Sequence, residues 1–283
     1  KIGEHAFIGC TALESITIPD SVTSIDSWAF HGCTSLTSIT IPNSVTMIGE
    51  HAFGKCTSLT SITILDNITT IGFGAFAGCT SLTSITIPDS VTEIGERTFF
   101  GCTSLTSITI PDSVTSIDSR AFYEFTSLES ITLPDSVTEI GYGAFRECTS
   151  LSSITLPDSV TVIGDGAFKK CTSLSSITLP DGVTEISKWT FIGCTALESI
   201  TIPDSVTVIG DGAFYDCTSL TQVICNNPDL FTDQNTENRD QIQFISTTEY
   251  CKENYKELLI AIKSSGLNID SLSNKEFNLL MRL

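Results

Sequence analysis

Hydrophobic positions recur along the chain on a period of 23 residues. Each unit reads L-x-x-I-x-I-P-D-S-V-x-x-I-G-x-x-A-F-x-x-C with few departures. The alternating, mostly β-branched residues after the leucine predict one short strand per unit. The proline lacks an N–H group and ends that strand, and Pro-Asp-Ser is typical of a turn. The glycine after the later isoleucine, Gly49 or Gly72 for example, predicts a backbone turn with positive φ.

One such unit cannot bury its own apolar side, but stacked units can bury a continuous core. The sequence therefore predicts a solenoid of about ten coils over residues 1–224, with the first coil incomplete. Residues 225–283 leave the repeat and predict a C-terminal capping segment. Its apolar residues Leu230, Phe231, Ile242 and Phe244 are possible anchors. Helical spacing over residues 248–263 and a capping box at Ser273 predict two short helices within the segment.

Two copies depart from the unit without losing its polarity. Phe125 stands where the other units have cysteine, and Leu65-Asp66-Asn67-Ile68 replaces Pro-Asp-Ser-Val. We expect local adjustment at both places and no break in the stack.

Cysteine occupies one position of the unit nine times, and this position predicts a ladder of buried free thiols. Buried thiols behave as small hydrophobic groups, and Phe125 in the same position favours an apolar slot. Occasional bridges between neighbouring coils remain an alternative, because the coil spacing falls within disulfide range. A zinc site is not expected, since no C-x-x-C pair or nearby histidine is present. The ladder comprises Cys10, Cys33, Cys56, Cys79, Cys102, Cys148, Cys171, Cys194 and Cys217.

Charge narrows the range of partners. The chain has 33 acidic and 14 basic residues, a net charge of −19. Such a chain repels the phosphates of nucleic acids and anionic lipid surfaces, so neither is expected as a partner. No apolar run approaches the length of about 20 residues that spans a bilayer.

The sequence contains no recognisable catalytic constellation. No Gly-rich phosphate loop, H-E-x-x-H or G-x-S-x-G motif is present. The histidines His5, His31 and His51 are interpreted as solvent-facing residues in loops. Cys225 and Cys251 lie outside the ladder, with no histidine in their segment to activate them. We therefore expect no enzyme activity, no cofactor and no metal.

The unit resembles the BspA-type, or Treponema-type, leucine-rich repeat over about residues 1–224. This resemblance implies a leucine-rich-repeat solenoid, mostly β, with short parallel strands on a concave face. It also implies a surface or secreted adhesin-like protein that binds host proteins, matrix proteins or another cell's surface. A translocated effector that scaffolds or inhibits host proteins is one alternative. A structural spacer that presents its C-terminal segment is another, and self-association through the N-terminal edge is possible.

The repeat also separates candidate binding residues from structural ones. Positions constant over ten units are dictated by the coil, whereas the Gly-x-x-Ala-Phe-x-x segment carries variable aromatic and basic residues. Aromatic residues and arginine contribute most binding energy at protein interfaces. The alternative is that several of them pack on neighbouring coils. A carpet of strand Ser and Thr residues is interpreted as a soluble face. The candidate partner-binding residues are Trp28, His31, Phe73, Phe100, Tyr123, Tyr142, Arg146, Trp189 and Tyr215.

Overall fold

Each 23-residue unit forms one coil of a parallel β-solenoid of about ten turns. The computed structural model describes residues 1–237, 239–247 and 249–250. Apart from residues 249–250, the helix predicted over residues 248–263 lies outside the described residues, and so does the helix predicted from Ser273.

The predicted strand is present in seven units as a three-residue Ser-Ile-Thr strand, whereas residues 15–17 form no strand and Thr178 forms only an isolated bridge with Thr201. Neighbouring strands pair in parallel and in register, so that Ile39 lies beside Ile62. The isoleucine faces the core, while the flanking serine and threonine face solvent. These strands are Ser38–Thr40, Ser61–Thr63, Ser84–Thr86, Ser107–Thr109, Ser130–Thr132, Ser153–Thr155, Ser199–Thr201 and, ending the series, Gln222–Ile224.

Each coil also contains a second, two-residue strand, which the sequence pattern did not predict. Its isoleucine is buried, but only one outward residue precedes it, too few to show an alternation along the sequence. The strands pair in parallel, as Glu93, Ser116 and Glu139 do. They are Ser24–Ile25, Met47–Ile48, Thr70–Ile71, Glu93–Ile94, Ser116–Ile117, Glu139–Ile140, Val162–Ile163, Glu185–Ile186 and Val208–Ile209.

The Pro-Asp-Ser-Val segment forms the turn that the sequence predicts. The Val45 N–H donates to the Pro42 carbonyl at 3.0 Å and closes the turn. The Ser44 hydroxyl donates to the Val22 carbonyl of the preceding coil at 2.6 Å. The serine therefore also links one coil to the next.

The core is a stack of phenylalanine rings with a thiol ladder beside it. Interior rings such as Phe53 and Phe76 are fully buried, and their centroids lie 5.6 Å apart. Each thiol after Cys10 donates to the phenylalanine carbonyl of the preceding coil, as Cys79 does to Phe53 at 3.1 Å. Among the described residues every cysteine is free, as the thiol-ladder interpretation predicts. Burial raises the pKa of the Cys56 thiol to about 12.

Both departures from the unit are accommodated locally, as predicted. Phe125 is fully buried and meets the Phe122 ring edge-on at 5.3 Å. Without proline, the turn at Leu65 is still closed by the Ile68 N–H, which donates to the Leu65 carbonyl at 3.2 Å.

The prediction of positive φ for the glycine of the Ile-Gly pair is wrong. Positive φ occurs two residues later, at positions such as His51 (49°) and Gly74 (56°), and again just before the cysteine. At Gly72 the backbone of the preceding coil comes close instead. A β-carbon on Gly72 would lie 2.6 Å from the Glu50 nitrogen.

The described residues after Ile224 form an irregular last coil over the stack. The strand Gln243–Ile245 pairs in parallel with Gln222–Ile224, and short 3₁₀ helices span Pro228–Leu230 and Arg239–Gln241. The Phe231 ring continues the aromatic stack at 5.3 Å from Phe214. All four predicted anchors of this segment pack against the core.

Two aspartates at the same position of the unit have opposite pKa shifts. Burial, followed by the neighbouring Glu93 carboxylate, raises the pKa of Asp118 to about 6 from its ordinary 3.8. Lys1 lies 3.0 Å from Asp26, and its hydrogen bond lowers the pKa of Asp26.

These shifts predict opposite effects of the same substitution. Because folded Asp118 holds its proton more tightly than the unfolded chain, its contribution to stability is present below about pH 4 and lost by about pH 6. Asp118→Asn should therefore stabilise the chain above pH 6 and leave it little changed below pH 4. Asp26→Asn is the matched control and should destabilise the chain above pH 4. Urea unfolding at pH 3.5 and 7.5 measures both, and destabilisation by Asp118→Asn at pH 7.5 would contradict the assignment.

Candidate functional site

The variable residues lie on the segment of each coil that joins the two-residue strand to the cysteine. Two positions of this segment form neighbouring rows along the solenoid. The first row is the positive-φ position before Ala-Phe or Thr-Phe, and the second is the residue after the phenylalanine. The first row reads His5, Trp28, His51, Gly74, Arg97, Arg120, Gly143, Gly166, Trp189 and Gly212. The second row reads Ile8, His31, Gly54, Ala77, Phe100, Tyr123, Arg146, Lys169, Ile192 and Tyr215.

A groove of about 580 Å³ runs along these two rows, and we call it the aromatic-basic groove. It forms where small residues, Gly54 and Ala77, follow each other in the second row between His31 and Phe100. The lining residues are Trp28, His31, His51, Lys55, Ala77, Gly78, Arg97, Phe100, Arg120, Tyr123 and Arg146.

The rings of the groove hold one another in place. The Trp28 ring packs against both His31 and His51, with centroid distances of 4.5 and 4.4 Å, and the two histidine rings lie 6.0 Å apart. At the other end, the Phe100 and Tyr123 rings meet edge-on at 5.0 Å. All five rings are half-buried, so they pack on neighbouring coils and still present a face to solvent.

The pKa of both groove histidines lies below its ordinary value. Burial is the main cause that lowers the pKa of His31, and His51 and Lys55 lower it further. Burial is also the main cause for His51. These two residues were expected to face solvent, and their rings keep one face towards solvent while the other packs against Trp28. At His31 and His51, the Nδ1 atom is buried without a hydrogen-bond partner.

The groove concentrates positive charge on an acidic molecule. Its lining holds four of the 14 basic residues and no carboxylate, although the chain has 33 acidic residues. Arg97 pairs with Glu96 at 3.7 Å, and Arg146 pairs with Glu147 at 3.3 Å. Within the described ranges, Arg120 has no carboxylate within 4.0 Å, and its Nε atom is buried without a hydrogen-bond partner.

The first row places large side chains where the backbone favours glycine. Trp28 has a φ of 62°, in the left-handed region, and four other coils carry glycine at that position. A bulky residue there costs about 1–3 kcal/mol of backbone strain. The coil itself therefore does not require a tryptophan at this position, either at Trp28 or at Trp189, where φ is 58°.

The nine candidate residues fall into three groups. Trp28, His31, Phe100, Tyr123 and Arg146 line the groove. Phe73 and Tyr142 lie beside it, since Arg97 covers the Phe73 ring at 5.4 Å and Arg120 covers the Tyr142 ring at 4.9 Å.

The third group, Trp189 and Tyr215, lies in later coils outside the groove. Trp189 is 44% exposed and has the Lys169 amine 6.0 Å from its ring. The Tyr215 hydroxyl donates to the Asp233 carbonyl at 2.5 Å.

Sequence reasoning left His51 and Lys55 out of the candidate surface, whereas Arg97 and Arg120 belong to the basic residues of the variable segment that it singled out. His51 shares the repeat position of Trp28, so grouping residues by position could have found it. Lys55 follows a different row, just before a cysteine, and no sequence signal distinguishes it.

A second recess of about 580 Å³ lies over the Ser-Ile-Thr strands of the first coils. Its lining includes Ser15, Thr17, Ser38, Thr40 and Asn43. This recess belongs to the predicted hydroxyl face and carries no basic residue.

The site offers no arrangement typical of metal binding. In the described part of the chain, no three His, Cys, Asp or Glu residues are grouped to hold a metal ion. Over the same residues, no helix is long and apolar enough to cross a membrane.

Solved structures with similar sequences are leucine-rich repeat proteins. A leucine-rich repeat protein from Bacteroides ovatus is 32% identical over 86% of this chain and 80% of its own, with a TM-score of 0.53. A leucine-rich cell surface protein from Faecalibacterium prausnitzii is 31% identical over 83% and 80%, with a TM-score of 0.45. No curated protein matches the sequence.

The model of the BspA type leucine rich repeat region matches residues 1–125 and 138–257 in six copies. Those ranges contain every residue of both rows along the aromatic-basic groove. The repeat spacing and the solenoid agree with this match, and the chain belongs to the BspA-type leucine-rich repeat family.

Proposed function

We propose that this chain is a surface or secreted adhesin-like protein that binds a host protein, a matrix protein or another cell's surface. The observation that carries the proposal is the aromatic-basic groove. Its rings and arginines are the residue types that dominate binding energy at protein interfaces. Membership of a leucine-rich repeat family supports a protein-binding module.

The packing within the groove favours binding over a purely structural role. Side chains that only fill the core are fully buried here, as Phe30 and Phe53 are. The groove rings are instead half-buried and mutually fixed, so little side-chain entropy is lost when a partner docks.

The proposal is tested by binding of the full chain to immobilised matrix proteins and to host cells. The double variant Trp28→Gly/Arg120→Gly removes one ring and one guanidinium. Glycine is suited to both positions, because Gly74 and Gly143 occupy the same row in other coils. Loss of two such contacts, at about 2 kcal/mol or more, should weaken binding at least about thirty-fold.

Trp189→Gly is the matched control, since it makes the same change in the same row outside the groove. It should alter binding less than two-fold. Circular dichroism checks that all variants keep the solenoid. Equal binding by the double variant and the parent, or no binding to any protein or cell tested, would overturn the proposal.

A further inference from the structure

We infer that the aromatic-basic groove binds an extended acidic peptide segment of about seven residues, with an aromatic or aliphatic side chain between its carboxylates. This inference rests on the proposed function and adds the chemistry of the partner. It follows from the length of the groove, its floor and the placement of its charges.

The length of the groove fits an extended peptide. The lining runs from the coil of Trp28 to the coil of Arg146, which is five coil steps. At a strand spacing of about 4.8 Å, these steps cover about 24 Å. An extended chain rises about 3.3 Å per residue, so about seven residues fill the groove.

The floor of the groove is suited to an apolar side chain. Ala77 and Gly78 leave a recess, which Trp28 bounds on one side and Phe100 with Tyr123 on the other. Aromatic walls of this kind accept a planar or branched side chain by offset or edge contact. A ligand made only of charged or hydroxyl groups would leave this surface unused.

The charges of the groove are suited to carboxylates. Arg97 and Arg120 follow each other in the first row, and Arg146 of the second row lies at the end of the groove. Arginine binds a carboxylate through two parallel N–H···O bonds, and the low dielectric near the rings strengthens each of them. Arg120 has no carboxylate within 4.0 Å in the described part of the chain, so its guanidinium charge is still free to pair with a carboxylate of the ligand.

The net charge of the molecule favours a short acidic peptide over a long polyanion. With 33 acidic residues against 14 basic ones, the surface outside the groove repels an extended chain of sulfates or phosphates. A peptide with two or three carboxylates places its charges inside the groove and carries few elsewhere.

The test selects phage-displayed random seven-residue peptides on the full chain, with counter-selection on Trp28→Gly/Arg120→Gly. Enriched peptides should carry net negative charge and at least one aromatic or large aliphatic residue. Enrichment of neutral or basic peptides, or none that depends on the groove, would overturn the inference.

The enriched peptide is then synthesised and its affinity measured by fluorescence polarisation. Three results are expected. Replacing its glutamates or aspartates by the amides should weaken binding to the parent at least ten-fold. The same replacement should weaken binding to Arg120→Gly by a smaller factor than binding to the parent, because one of the four basic partners is already gone. Ala77→Phe should abolish binding, because the phenylalanine ring fills the recess. The solenoid should accept this ring, since Phe100 occupies the same row position in the next coil. Equal loss of affinity in parent and Arg120→Gly, or full binding by Ala77→Phe, would contradict the inference.

Two controls exclude other occupants. Heparin should compete with the peptide weakly or not at all, and the parent chain should sediment as the same species as the double variant. Groove-dependent heparin binding stronger than that of the peptide, or groove-dependent self-association, would overturn the inference. If acidic peptides fail but the groove variants still lose cell or matrix binding, the proposed function stands and only the peptide chemistry is wrong.

Discussion

Replacing Phe122 by alanine should lower the free energy of unfolding by about 3–5 kcal/mol. The Phe122 ring is fully buried, with Phe99 at 6.0 Å and Phe145 at 5.3 Å on either side. The Phe125 ring, which replaces the cysteine of this coil, also contacts the Phe122 ring edge-on at 5.3 Å, so the substitution removes this contact as well. Because each coil contacts only its neighbours, a defect there should also reduce cooperativity between the two halves of the solenoid.

Urea unfolding followed by circular dichroism measures both effects. The matched control is Phe7→Ala, in the first coil, where the ring is only half-buried and stacks on Phe30 alone at 5.0 Å. It should cost clearly less than Phe122→Ala and leave the transition cooperative. An unchanged midpoint for Phe122→Ala, or equal losses in both variants, would show that the ring stack is not the main core.

Replacing Gly72 by alanine should destabilise the chain by about 1–3 kcal/mol, as overpacking of a close contact does. The added β-carbon would lie 2.6 Å from the Glu50 nitrogen and 2.7 Å from the Gly49 carbonyl carbon. These are backbone atoms of the preceding coil, so neither can move aside without shifting the stack.

Gly95→Ala is the control at the same position of the unit. Its β-carbon would meet nothing closer than the Thr98 hydroxyl oxygen at 3.5 Å. Since alanine also restricts the unfolded chain, Gly95→Ala should be neutral or stabilise by about 0.4–1 kcal/mol. Thermal unfolding of Gly72→Ala and Gly95→Ala tests whether the close approach of the preceding coil explains the glycine. A similar loss of stability in both variants would contradict that explanation.

The repeat made most of the fold predictable from the sequence. The strand with Ile39, the turn closed by Val45 and the apolar slot filled by Phe125 each follow from periodicity, turn chemistry and polarity. The two-residue strands did not, because two residues are too short to show an alternation. The role of Gly72 also could not be read from the sequence, since close approach and positive φ select the same residue.

The sequence predicted which segment of each coil carries the candidate residues, but not which of these residues lie together in the groove. Variable rings such as Trp28 and Phe100 identified the segment. Which of them meet depends on neighbouring coils, and on the small residues Gly54 and Ala77, which no search for large side chains detects. The partial burial of His51 could not be predicted in this way, because it comes from a tryptophan 23 positions earlier in the sequence.

The central claim is that the aromatic-basic groove receives the partner, and tryptophan fluorescence tests it most directly. The chain has two tryptophans, one in the groove and one outside it, so Trp189→Gly leaves only Trp28 to report and Trp28→Gly leaves only Trp189. The titrant is a partner without tryptophan, either a matrix protein that binds the chain or the selected acidic peptide. It should shift or quench the emission of Trp28 and leave that of Trp189 unchanged. A change in Trp189 emission with none in Trp28 would place the binding surface in the later coils and contradict the account.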